Sequence, residues 1–150
     1  EALTALRSGA LIGTDTNMGK AGINKKALAS FGGEALCFMA DPDVAESARR
    51  EGTTRAVASM KKAAALARET ERPLILAVGN APTALVEICS LMDDGELSPA
   101  LVIGVPVGFF NVVAAKQILL ERTVPSIEAR GRKGGSNIAA AICNALLYMA

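Results

Sequence analysis

Three apolar runs in this chain each lead directly into a glycine-bearing turn and then into a helical pattern. That alternation limits the fold more than any other feature. The turns are Val78-Gly-Asn-Ala-Pro-Thr-Ala-Leu85, Gly104-Val-Pro-Val-Gly-Phe109 and Arg130-Gly-Arg-Lys-Gly-Gly-Ser136. A strand that passes through a tight turn into a helix returns by a crossover, so repetition builds a parallel sheet with helices on its faces. In such sheets the ligand lies beyond the carboxyl ends of the strands. The last turn sets three cations, Arg130, Arg132 and Lys133, beside an expected helix N-terminus, which calls for an anionic ligand.

Five runs read as buried strands: Ala10 to Thr14, Ala35 to Ala40, Pro73 to Val78, Ala100 to Val107 and Val124 to Ala129. Between them fall helical patterns. Asp41-Pro42 opens a short helix that Gly52 closes. Thr53 or Thr54 caps a longer one through Glu69. Pro82 begins a third, with Leu85, Ile88, Cys89 and Met92 on one stripe. Asn111 to Glu121 forms the next, and Ser136 caps the last. Thr16 to Ala29 reads as irregular. The expectation is an α/β layer fold with a mostly parallel five-stranded sheet, in a single domain over residues 1–150. The chain opens on Glu1 inside a helical turn with no capping residue before it, so a continuation upstream is expected.

Composition excludes several classes. The net charge is +1 and aromatics are 3% of residues, which suits neither a general nucleic-acid surface nor base stacking. No apolar run approaches the ~20 residues of a membrane span. The three cysteines, Cys37, Cys89 and Cys143, are dispersed and read as reduced and buried in a cytoplasmic protein. With no histidine and no C-x-x-C, a protein-built zinc or transition-metal centre is not expected.

The candidate site residues lie at the strand ends, and several admit two readings. Arg130, Arg132 and Lys133 offer charge and forked donors to carboxylates, or form a solvated basic turn. A Walker phosphate loop is excluded, because the Gly-Lys-Ser/Thr ending is absent. Asn80 and Thr83 offer an amide and a hydroxyl to a ligand, or cap the helix that Pro82 begins. Pro106 marks a bend, Gly108 a close approach, and Phe109 or Phe110 a stacking surface or core packing. Arg55 opposes the helix dipole in a first turn, which points to an anionic partner or to solvent. Asp15 ends the first strand, as a site residue or a turn former.

Together these segments resemble the precorrin-8X methylmutase family, including its cobalt-precorrin-8 form, over essentially the whole chain. The resemblance rests on Asp15-Thr-Asn-Met18, Gly52-Thr-Thr-Arg55, Gly79-Asn-Ala-Pro-Thr-Ala-Leu85, Pro106-Val-Gly-Phe109 and Arg130-Gly-Arg-Lys-Gly-Gly-Ser136. It implies an α/β fold, a three-layer α/β/α sandwich around a mostly parallel five-stranded sheet, and a methyl shift from C-11 to C-12 of a corrin precursor, giving hydrogenobyrinate or its cobalt form, by a homodimer with the tetrapyrrole near the subunit interface. Asp15 and Met18 match the family's Asp-x-x-Met, and Arg55 matches an active-site arginine. The substrate-binding set is then Asp15, Met18, Asn80, Thr83, Gly108, Phe109, Arg130, Arg132, Lys133 and Ser136, with Arg55 assisting catalysis. The family's general acid is a histidine in an N-terminal segment, and this chain has none. The family's Glu-Ser before the lysine is Ala114-Ala115 here, and Ala56 replaces the usual Ser after the Arg. No resident cofactor is implied, since any cobalt belongs to the substrate. Two other readings stay open: a tetrapyrrole-binding relative without catalysis, and an unrelated anion- or nucleotide-binding α/β module.

Overall fold

The structure, a computed structural model, describes residues 2–108, 112–129 and 133–150. Its five strands are β1 (Leu11–Thr14), β2 (Glu34–Leu36), β3 (Leu74–Val78), β4 (Leu101–Gly104) and β5 (Ser126–Glu128). They form one sheet in the order β2-β1-β3-β4-β5, and every pairing is parallel. The sheet is thus wholly rather than mostly parallel.

Eight helices connect and flank the strands among the described residues: α1 (Ala2–Arg7), α2 (Asn17–Gly22), α3 (Lys25–Ser30), α4 (Pro42–Glu51), α5 (Arg55–Thr70), α6 (Pro82–Asp93), α7 (Val112–Leu120) and α8 (Ser136–Met149). The strands sort their side chains between two cores by simple alternation. Leu74, Leu76 and Val78 join Met60 of α5, Leu85 and Ile88 of α6 and Leu119 of α7 on one face. Ile75 and Ala77 join Leu6 of α1, Leu28 of α3 and Ala139 and Cys143 of α8 on the other. Two cores with one sheet between them make the α/β/α sandwich. No helix among the described residues is long and apolar enough to cross a membrane.

Several local expectations need correction. Thr16 to Ala29 is not irregular: Thr16 and Asn24 cap two six-residue helices, accepting from Gly19 N and Ala27 N. β2 stops at Leu36, short of the expected Ala40, and β4 stops at Gly104, short of Val107. Asp41 stands at the N-cap of α4 but makes no capping bond. Its carboxylate instead takes Lys62 of α5 at 2.8 Å, which pins the α4–α5 hairpin. Ser136 is the first helical residue of α8 and not its cap, which is Gly135.

The topology positions the site. A helix returning to the start of a parallel strand runs opposite to the strands, so its first turn lies at their carboxyl edge. That holds for α5, α6 and α7. The strand order also reverses direction between β1 and β3, and open parallel sheets take ligands beyond the carboxyl ends at such a reversal.

Candidate functional site at the carboxyl edge of the sheet

At that edge stands Asp15, the residue directly after β1. Asp15 is 1% exposed. Its Oδ1 accepts from Gly79 N at 2.9 Å, and its Oδ2 accepts from Asn80 N at 2.9 Å and Ala81 N at 2.7 Å. Burial, the largest influence, raises its pKa above the ordinary value, and the three amide bonds oppose that rise. One carboxylate therefore ties the end of β1 to the turn that enters α6. Both oxygens accept from backbone amides, so Asp15 holds the end of β1 against the turn that enters α6.

The neighbouring threonines extend the same seam. Thr14 Oγ1 donates to the Thr16 carbonyl at 2.8 Å. Thr16 Oγ1 lies 2.7 Å from Ser136 Oγ, which joins the entry of α2 to the first turn of α8. Gly135 N donates to the Val105 carbonyl at 2.8 Å, so the loop before α8 rests on the residue after β4. Two glycines make this approach possible. A Cβ on Gly79 would stand 2.6 Å from Ser136 Cα. A side chain on Gly134, whose φ is +157°, would run into the Val105 carbonyl.

Around this fixed seam several side chains face solvent. Arg55 is the first residue of α5, and its guanidinium makes no hydrogen bond or ion pair among the described residues. Asn80 and Thr83 flank the start of α6, both exposed and neither side chain hydrogen-bonded among the described residues. The capping reading of these two side chains is therefore set aside, because Asp15 serves the turn instead. Met18, on α2, is 64% exposed. Gly108 follows β4 and is half-buried, and Lys133 is exposed before α8. Phe109, Arg130 and Arg132 lie outside the described residues. Exposed cations, an amide and a hydroxyl beside a buried backbone latch suit a large anionic ligand laid across the edge.

Two site residues escaped the sequence reading. Thr16 was hidden in the segment taken as irregular, although its place three residues before Gly19 is an N-cap pattern. Lys116 is 4% exposed within the apolar helix α7. Its Nζ donates to the carbonyls of Ala129 at 2.6 Å and Lys133 at 2.8 Å. The available signal was its position on the inward stripe with Val112, Ala115 and Leu119. Among the described residues, no group of three or more acidic, cysteine or histidine side chains could hold a metal ion.

Comparison with known proteins now decides the relationship. The family described as precorrin-8X methylmutase matches residues 1–149. The chain belongs to the precorrin-8X methylmutase family. It is 45% identical over 144 residues to a cobalt-precorrin-8 methylmutase of Salmonella typhimurium, covering 96% of this chain and 65% of that protein. It is 43% identical over 148 residues to one from Priestia megaterium, covering 99% and 64%. These shares fall just short of two thirds of the relatives' own length. Among solved structures, precorrin-8X methylmutase from Thermus thermophilus superposes with a TM-score of 0.83 at 39% identity, covering 98% of this chain and 70% of that one. Identity at this level with matching topology carries the methylmutase fold over the whole described chain.

Proposed function

We propose that this chain forms the corrin-binding body of a methylmutase that isomerises precorrin-8X or cobalt-precorrin-8 by moving a methyl group from C-11 to C-12. The product is hydrogenobyrinate or its cobalt form. The observation that supports the reading is the Asp15 latch at the end of β1 in a chain of this family, with Arg55, Asn80, Thr83 and Lys133 exposed. A corrin precursor bears many carboxylates on a broad, mostly apolar ring. Guanidinium and ammonium groups at the rim would take the carboxylates, and Met18 would meet the ring. Asn80 and Thr83 add neutral donors that fix its orientation.

The reaction is an isomerisation, so it needs no oxidant, reductant or second substrate. A general acid protonates the conjugated ring, the methyl group migrates to the adjacent carbon, and a proton is returned. Histidine suits that step at neutral pH, and these 150 residues contain none. The role of these residues is binding and orientation, with Arg55 holding a carboxylate or assisting the acid. The working unit is a homodimer in the cytoplasm, with any cobalt carried in by the substrate. Support for the dimer is the exposed apolar pair Val113 and Leu120 on α7, 52% and 59% exposed.

Two assays test this reading together. Absorbance titration with hydrogenobyrinate should give saturable binding. Conversion of precorrin-8X should be slow with this chain and fast with a longer family member that supplies a histidine. Equal turnover from both would mean that a residue within this chain is the acid.

A further inference from the structure

The edge strand β5 and α7 enclose a cavity that the corrinoid reading leaves unused. It lies at the far end of the sheet, two strands beyond β3 in the order β3-β4-β5, away from the Asp15 latch. Alternation along β5 builds its floor. Ile127 packs into the core on the α8 side, which turns Ser126 and Glu128 toward α7. From α7, Val113, Gln117 and Leu120 fall at helical spacing on one exposed stripe and form the facing wall. The cavity volume is about 510 Å³, within the range of roughly 300–1,000 Å³ for small-molecule sites. Its polar groups are unevenly matched. Lys116 also lines it, but the ammonium donates to the carbonyls of Ala129 and Lys133. Both carboxylate oxygens of Glu128 are buried with no hydrogen-bond partner among the described residues. Burial raises the Glu128 pKa, and the Lys116 charge opposes that rise. A buried acceptor left unpaired costs free energy that an incoming donor would recover.

We propose that the α7–β5 cavity binds a small neutral ligand with an apolar body and a primary carboxamide, whose N–H groups donate to Glu128. Charge and donor count select that class. The unmatched groups are acceptors on one carboxylate, so the ligand must bring donors. Lys116 already balances the Glu128 charge, so a cation drawn to the carboxylate would also meet the ammonium, and an anion would meet the carboxylate. A carboxamide brings two donors and no charge. Gln117 and Ser126 offer donors to its carbonyl oxygen. Val113 and Leu120, 52% and 59% exposed, give the apolar body its contact surface.

The test is amide NMR of the isotope-labelled chain titrated with benzamide, benzylamine and benzoate, probes of similar shape and different charge, with the mass followed by sedimentation. The expected result is saturable benzamide shifts at Gln117, Ser126 and Glu128, with at least fivefold weaker binding of either charged probe. Glu128→Leu should stay folded by circular dichroism and bind benzamide at least tenfold more weakly. The proposal is overturned by the absence of saturable shifts at these residues, or by a charged probe that binds as tightly as benzamide. Benzamide binding that Glu128→Leu leaves unchanged also overturns it. So does conversion of a dimeric wild type to a monomer by Glu128→Leu, because a second copy would then be the occupant. If Glu128→Leu does not fold, Gln117→Trp decides. Gln117 is exposed on α7, so an indole there leaves the core alone and obstructs the cavity mouth. Benzamide affinity should fall at least tenfold in that variant, and unchanged affinity overturns the proposal.

Discussion

The carboxylate of Asp15 joins two strand ends through three backbone amides, at the cost of being 1% exposed. Asp15→Asn keeps the size but turns one oxygen into a donor that faces donors. It should lower stability by about 1–3 kcal/mol, the cost of leaving buried groups unpaired. The pH dependence has a definite sign. The folded pKa is raised above 3.8, so Asp15 contributes most below that value. Its contribution declines as pH rises toward the folded pKa and is level beyond it. Urea unfolding between pH 4 and 7 should show this decline as a difference between wild type and Asp15→Asn. Parallel curves would contradict it. The thiols offer a second check at this scale. Cys89 and Cys143 are each 1% exposed, and burial pushes Cys143 up to about 12, whereas Cys37 is half-buried. A thiol reagent at pH 8 should label Cys37 in the folded protein and all three residues after unfolding. Rapid labelling of Cys143 in the folded state would show that α8 is not packed as described.

Elements differ in how openly the sequence announces them. β1, β3 and α6 were legible because buried parallel strands are continuous apolar runs, and Pro82 fits a first helical turn. α2 and α3 were not, because six residues carry too little periodicity and their glycines imitate a loop. Their stability comes from contact with α8: Asn144 Oδ1 accepts from Asn24 N at 2.7 Å, and its Nδ2 donates to the Gly22 carbonyl at 2.9 Å. That contact spans more than 100 residues, which no local pattern reports. The glycine-bearing turns after β3 and before α8 were legible from the sequence. The Asp15 latch and the Lys116 bonds to the carbonyls of Ala129 and Lys133 were not, because both depend on which backbone groups the fold brings to a side chain. The docking of α8 on β3 is itself testable. Gly79→Ala would force a methyl group to within 2.6 Å of Ser136 Cα. Overpacking of this kind costs about 1–3 kcal/mol. The variant should also weaken corrinoid binding, as read by titration, because Ser136 and the turn before it would shift. Unchanged stability would mean that the α8 N-terminus is free to move away.

At the scale of the molecule, an all-parallel sheet in the order β2-β1-β3-β4-β5 gathers the first turns of its returning helices at one edge and reverses its strand order between β1 and β3. Membership of the family and the exposed Arg55, Asn80, Thr83 and Lys133 support the proposed polycarboxylate ligand. Binding by these residues is the property to measure first. The decisive measurement is a visible-absorbance titration of the chain with hydrogenobyrinate at low and moderate salt, run beside Arg55→Ala. The account predicts a saturable spectral shift, weaker as salt rises, and a further loss of about 1–3 kcal/mol in Arg55→Ala, as for a charge-assisted bond. A spectrum that does not saturate at low salt, or an affinity that Arg55→Ala leaves unchanged, would contradict it.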